Sequence, residues 1–354
     1  MVGLRDQGQA GIALALFALW VAILPAAAQN ASFAALAVTA KPIEHFEIGR
    51  DTTHFGELEF RGGIELVSRN DNFGGWSGID FDPMSGRLIA VSDTGWWLIA
   101  KPVEKAGRLT GIAEARIGRM LDPKGRPIRR KSEADAEAVR LLKSGGPGML
   151  VMYEEGASLR QFNGPLDRLP AIVPKELPLP DAVRRRSGSQ GIEAIAIAPA
   201  QSTFKDAILL IAEHELDEKG NHRAWILSGA SQETFFVKRS GNFDITDAEF
   251  LSDGDLVILE RRFGLTEGVG VRIRRIKSAD IKPGVTVDGG VVMEADLRYQ
   301  IDNMEGMALR QGPSGEIVVT LISDDNKSVL QRTLLLQFAW RPFGNNGEAT
   351  AAEP

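Results

Sequence analysis

Short runs of valine, isoleucine, leucine and aromatic residues, cut apart by Gly, Asp, Asn and Pro, succeed one another along most of the chain. The most apolar of them are RLIAVSDTG, GMLVMYEEG, AILLIAEHE, DLVILERRF and EIVVTLISDDN. Another run precedes each, and in four cases it carries a glutamate: DAEAVRLL around Glu137, GIEAIAIA around Glu193, DAEFLSDG around Glu249 and DNMEGMALR around Glu305. These glutamates recur every 56 residues. The fifth preceding run is WSGIDFDP, where Ser77 stands in the glutamate's place, 60 residues before Glu137. Third runs follow as WWLIAKPV, SLRQF, RAWILSG, VRIRRI and RTLLLQFAW, and fourth runs are clearest in IAEARIG and ETFFVKR. β-Prone runs at regular spacing predict an all-β chain, and the fixed period marks it as a repeat.

Four antiparallel strands repeated five times predict a β-propeller, whose blades are four-stranded sheets around a central channel. Only three strands follow from Glu305 onward, so GELEFRGGIELV, residues 56–67, is expected to supply the fourth and close the ring by joining the two ends of the chain. The blade count becomes six if residues 46–67 form more than one strand. The propeller is thus expected over 46–340, with a linker at 29–45 and a polar, frayed tail at 341–354. Ahead of it, Arg5, the apolar run GIALALFALWVAIL, Pro25 and the small residues of AAAQN have the layout of a secretory signal peptide, residues 1–28, cut after Ala28. The run is shorter than the ~20 residues a spanning helix needs; an uncleaved anchor is the alternative. The mature chain is expected in the periplasm or secreted, free of the membrane.

Antiparallel geometry says where the acidic residues go. The start of a first strand, the end of the second and the start of the third share one edge of a hairpin. Since first strands line the channel, Glu137, Glu193, Glu249 and Glu305 are expected to ring one of its mouths. Second-strand ends bring Asp93, Glu154, Glu213, Glu260, Asp324 and Asp325 to the same rim. Crowded carboxylates repel one another unless cations or donors hold them. Donors stand nearby: Arg160, Arg223 and Arg332 open third strands, Arg130, Arg186 and Arg298 lie seven residues before three of the glutamates, and Arg261 and Arg262 follow Glu260. Oxygen-only ligands suit a hard cation such as calcium, and arginines suit phosphate or carboxylate. The bland reading is a ring of structural clamps, each glutamate accepting backbone N–H groups of a turn.

Other chemistry finds little support. Cysteine is absent, which excludes thiol catalysis and cysteine metal sites. The net charge of −6 speaks against wholesale binding to nucleic acid or anionic lipid. The histidines, His45, His54, His214 and His222, lack metal-site spacing, and no Walker loop or dinucleotide fingerprint occurs. GGWSG around Ser77 lacks the spacing of a nucleophile elbow. Trp96 and Trp97 are expected to pack between blades rather than stack a ligand.

The stretches GWSGIDFDPMSGRLIAVSDTGWW, DAEAV, GIEAIAI, LVILERRF and NMEGMALR, with the closing VVTLISDDNKSVLQRTLLLQF, resemble the phytase-like family of exported bacterial proteins, described as having esterase-like activity of phytase. The resemblance spans residues 46–338 and implies an exported β-propeller and, more loosely, phosphoric-ester hydrolysis. The residue reading and the resemblance together lead to an expected hydrolase of phosphate esters working with calcium or another divalent metal. Glu137, Glu193, Glu249, Glu305, Asp93 and Asp325 are the expected metal ligands; Glu305, Asp324 and Glu193 the catalytic groups; and Arg186, Arg262, Arg298 and Arg332 the residues holding a small anionic substrate. A monomer is expected. The competing readings are a non-catalytic propeller that binds a ligand or partner, and a metal-dependent lactone or sugar-ester hydrolase.

Overall fold

The computed structural model describes residues 31–342 apart from 144, 155–156, 185–190, 201, 230 and 265–267. The expected signal peptide, Arg186 and nearly all of the expected tail lie outside the described residues. The chain forms five sheets whose innermost strands are Trp76–Phe81, Ala136–Leu141, Ile192–Ile197, Asp244–Phe250 and Met304–Gln311. These five pack side by side in a closed cycle, the first against the last, so the protein is a five-bladed β-propeller.

From the axis outward, the first blade continues with Leu88–Ser92, Trp96–Lys105 and Arg108–Arg119, and the second with Gly148–Tyr153, Ser158–Asn163 and Lys175–Leu177. The third adds Ile208–Leu216, His222–Ser228 and Ser231–Val237, and the fourth adds Leu256–Gly264, Gly268–Ile276 and Gly290–Asp296. The fifth has Ile317–Ser323 and Thr333–Trp340, and its fourth strand is Leu58–Val67 from the start of the chain, paired antiparallel from Thr333↔Leu66 to Trp340↔Leu58. Closure therefore follows the expected route. The stretch read as a linker contributes edge strands instead: Ala34–Ala35 on the first blade and Thr39–Ile43 on the fifth.

Apolar faces of neighbouring blades pack against one another. Trp97 is fully buried and meets Phe162 of the second blade edge-on at 4.9 Å, while Phe46, Phe60 and Phe338 cluster at the closure. Each innermost strand carries a β-bulge at one place: Ser77, Glu137, Glu193, Thr246 and Glu305 are the skipped residues. The next residue is small in four blades, Gly78, Ala138, Ala194 and Gly306, because the strands converge there. A Cβ at Gly306 would lie 2.9 Å from the Ser77 carbonyl oxygen.

The channel is closed below these bulges. Arg140, 2% exposed, donates to the carbonyl oxygens of Ile79 at 3.0 Å, Val139 at 2.7 Å, Ala248 at 2.7 Å and Met307 at 3.2 Å, and to Asp247 at 2.6 Å. One side chain thus ties four blades together across the axis.

Candidate functional site

The bulges build the upper mouth of the channel. An extra residue in one strand breaks the pleat and re-aims a side chain. The bulge position gives an inner tier of Ser77, Glu137, Glu193, Thr246 and Glu305. On each second strand, the residue that follows the partner of the pre-bulge position gives a second tier: Asp93, Glu154, Glu213, Arg261 and Asp324. Their backbone N–H groups bond Gly75, Asp135 and Gly191 in the first three blades and Asn303 in the fifth, and those residues, with Asp244, form a third tier. One repeated backbone arrangement therefore gathers Glu137, Glu193, Glu305, Asp93, Glu154, Glu213, Asp324 and Asp135.

Among the described residues, Arg261 and Lys131 reach into this cluster, and His214 lies 2.9 Å from Glu213. Arg261 donates to Glu305 at 2.7 Å, Glu213 at 3.1 Å and Asn303 at 2.6 Å, and Asn303 donates to Glu305 at 2.7 Å. Lys131, on the short helix Lys131–Ala134, reaches Asp93 at 3.0 Å. Negative charge still dominates. Loss of hydration and then the carboxylates of Asp135, Glu305 and Glu154 push Glu137 well above the usual range. Burial and then Glu137 and Glu213 do the same to Glu193. Glu305 is pushed up to about 7 by burial, against the pull of Arg261. Burial raises Asp135 and Asp324 to about 6, with Glu154 and Asp93 their respective leading negative neighbours.

Asp135, Glu137 and Glu154 each offer an oxygen within 4.8 Å of the others. Beside them, Asp93 is 8% exposed, and its buried Oδ1 has no hydrogen-bond partner among the described residues. A convergent carboxylate trio with an unfilled acceptor nearby fits a hard divalent cation.

Not every expected rim residue is there. Glu249 lies three residues beyond the fourth bulge, at the other end of its strand; its Oε2 accepts the Leu309 N–H at 2.8 Å and its Oε1 lies 3.8 Å from Lys143. The equivalent of the other glutamates is Thr246: the bulges are 53 residues apart from Glu193 and 59 before Glu305, so the 56-residue register was met by compensation. Glu260 is fully buried on Arg272 and Arg274. Asp325 is committed to protein groups, accepting Gly75 N–H at 3.0 Å and Thr333 Oγ1–H at 2.8 Å. Arg298 is exposed and pairs with Asp296 at 2.9 Å, and Arg332 clamps Gln300 at 3.0 Å and the Ile301 carbonyl at 3.2 Å. Of the arginines expected to hold the substrate, Arg262 lines a cavity.

That cavity, about 730 Å³, opens off the mouth past Glu213, Arg261 and Asn303. On the other side a smaller one of about 240 Å³ is lined by Arg119, Arg129, Lys131, Lys327, Trp96 and Asp71. Arg119 lies over the Trp96 ring at 3.9 Å, and burial followed by repulsion from Arg129 lowers its proton affinity. Arg119 ends the outer strand of the first blade, Arg129 and Lys131 follow it in the chain, and Lys327 comes from the fifth blade, so no shared sequence signal marks this basic pocket.

A model of the family described as phytase-like, esterase-like activity of phytase, matches residues 71–327. No curated protein matches the chain. Among solved structures it is similar to an endo-arabinase from Bacteroides thetaiotaomicron VPI-5482, at 11% identity and a TM-score of 0.46 over 78% of this chain and 97% of that one. It is also similar to the Cps50 (Swd1) β-propeller domain of Myceliophteria thermophila, at 10% identity and a TM-score of 0.37 over 84% of this chain and 99% of that one. Among the described residues no helix is long and apolar enough to cross a membrane.

Proposed function

The chain belongs to the phytase-like family, and from that premise we propose that it hydrolyses phosphate esters at the acidic mouth of the propeller with the help of calcium or a similar divalent cation. The observation that carries this reading is the Asp135, Glu137 and Glu154 trio, with ligand oxygens within 4.8 Å of one another, beside the unpartnered Oδ1 of Asp93. Those residues would hold the cation. When bound, it would polarise a phosphoryl oxygen and offset the repulsion among the carboxylates.

The remaining groups divide the work. Arg119, Arg129, Lys131 and Lys327 surround a pocket next to Asp93 and suit the phosphate dianion. Glu305, titrating at about 7, is poised for proton transfer near neutral pH. In hydrolysis the oxygen of water bonds to phosphorus as the bond from phosphorus to the ester oxygen breaks. A carboxylate of the mouth, Glu305 or Asp324, takes the proton from water, and the departing alkoxide leaves as the alcohol by taking that proton back from the carboxyl group. Glu193, on the third blade, is itself held well above the usual carboxylate range by burial and then by Glu137, Glu213 and Glu305.

A screen of phosphate esters with millimolar calcium and with chelator tests the proposal. Turnover and a rise in melting temperature with calcium are expected, both lost in Glu137→Gln. Turnover unaffected by chelator would remove the metal from the reading. No turnover on any ester, with no thermal response to calcium, would overturn it.

A further inference from the structure

The larger cavity differs in chemistry from the mouth it adjoins. Its outer lip consists of Phe263, Leu297 and Leu330, which are 79%, 61% and 89% exposed. They come from three places, the second strand of the fourth blade, the connection between fourth and fifth blades, and the loop before the last strand. Val269 and Ile301 continue the apolar wall inward. Exposed apolar side chains scattered singly need no explanation, but several around one concavity mark a binding site.

The charges of the cavity are almost all spent. Arg261 is committed to Glu213 and Glu305, Asp244 to Arg239 at 2.8 Å, and Asp302 to Asn303 N–H at 2.9 Å and Arg332 N–H at 3.1 Å. Arg262 lies over the Phe243 ring at 4.7 Å, and its buried Nε has no hydrogen-bond partner among the described residues. Three lining carboxylates stand against two lining guanidiniums and the His214 imidazole, itself 2.9 Å from Glu213, so the cavity offers a polyanion no surplus of positive charge, whereas its apolar wall suits an apolar group.

We propose that this cavity receives the organic part of the substrate, and that the protein selects amphipathic esters carrying an aryl or alkyl group over polyanions such as inositol polyphosphates. The inference rests on the hydrolase reading for its orientation: the ester group lies over the acidic mouth, its phosphate toward Lys131 and its apolar group toward Leu330. The loop from Asp324 to Arg332 separates the two sides, since Asn326 lines the apolar cavity and Lys327 the basic one.

Calorimetry in millimolar calcium with three non-hydrolysed probes, 1-naphthylphosphonate, methylphosphonate and inositol hexakisphosphate, separates this inference from the reading it rests on. The full chain is expected to bind the naphthyl probe about tenfold or more tighter than the methyl one, from partial burial of the ring, and the polyphosphate more weakly than the naphthyl probe. Leu330→Ser and Phe263→Ser change exposed positions and should melt like the parent. Each is expected to reduce the naphthyl preference to about threefold or less while leaving methylphosphonate binding unchanged. Equal binding of the two phosphonates, a preference that survives both substitutions, or tighter binding of the polyphosphate would overturn the inference and assign the apolar lip to a macromolecular partner. Selective naphthyl binding without turnover of any ester would instead sustain it and sink the hydrolase reading.

Discussion

Asp80 and Glu249 occupy the same place in the first and fourth blades, three residues past the bulge, and both serve backbone rather than ligand. The inner edge of an innermost strand has no strand beside it, so its N–H groups need other acceptors. Asp80 takes the Leu141 N–H at 2.7 Å, Glu249 that of Leu309 at 2.8 Å, and Asp247 that of Met307 at 2.7 Å. Burial raises Glu249 to about 7, helped by the charge of Asp80, and burial raises Asp247 to about 6. The native state therefore holds protons that the unfolded state has released above the ordinary carboxylate range near 4. Stability contributed this way is present at low pH and falls as pH rises through 4 to 7. Glu249→Gln keeps an acceptor for Leu309 and cannot ionise, so urea unfolding at pH 5 and pH 8 should show it losing about 1–3 kcal/mol less than the parent between the two. Equal losses would mean that Glu249 does not titrate in this window. Sequence placed Glu249 in the mouth because a strand's polar ends look alike; which end faces the site depends on where the bulge falls, and a bulge leaves no residue signature beyond a small neighbour.

At the scale of the strand, that small neighbour is the constraint. A Cβ on Gly306 would approach the Ser77 oxygen to 2.9 Å and the Ile79 nitrogen to 3.1 Å, and one on Gly78 would lie 2.9 Å from the Ala138 Cα and the Glu137 oxygen. Apart from Ile322 Cγ2, 2.8 Å from the Gly306 position, these neighbours are backbone and can yield only by moving a blade. Gly306→Ala is expected to lower stability by about 1–3 kcal/mol and, by spreading the tiers, to weaken the calcium-dependent rise in melting temperature. A variant with unchanged melting and calcium response would show that the inner strands can slip apart freely. Strand identity was legible because each run is apolar and bounded by turn residues. The arginines opening third strands were legible as residues but not as clamps: Arg160 stacks on Tyr153 at 3.7 Å and Arg223 pairs with Glu215 at 2.9 Å, both contacts set by the twist between strands.

For the molecule as a whole, the join between its two ends decides stability. Leu58–Val67 pairs with Thr333–Trp340 on one side and Thr39–Ile43 on the other, and Leu58, Phe60, Ile64 and Leu66 are all buried. Removing residues 55–67 would expose the apolar closure of the fifth blade and uncover the last strand. A large drop in melting temperature is expected, together with loss of the single cooperative transition; a truncated protein melting like the parent would refute closure by this strand. The closure was readable from strand counting alone, because a ring of five needs a partner for every strand. The Arg140 tie across the axis was not readable, since its partners on the other blades, the carbonyl groups of Ile79, Ala248 and Met307 and the Asp247 carboxylate, are 61 to 167 residues away. That tie has a consequence for traffic. With Arg140 bridging four blades beneath the acidic tiers, the propeller is a cup rather than a pipe. Whatever enters at the mouth must depart by the same opening, so an alcohol and a phosphate made there would queue past the incoming ester and compete with it.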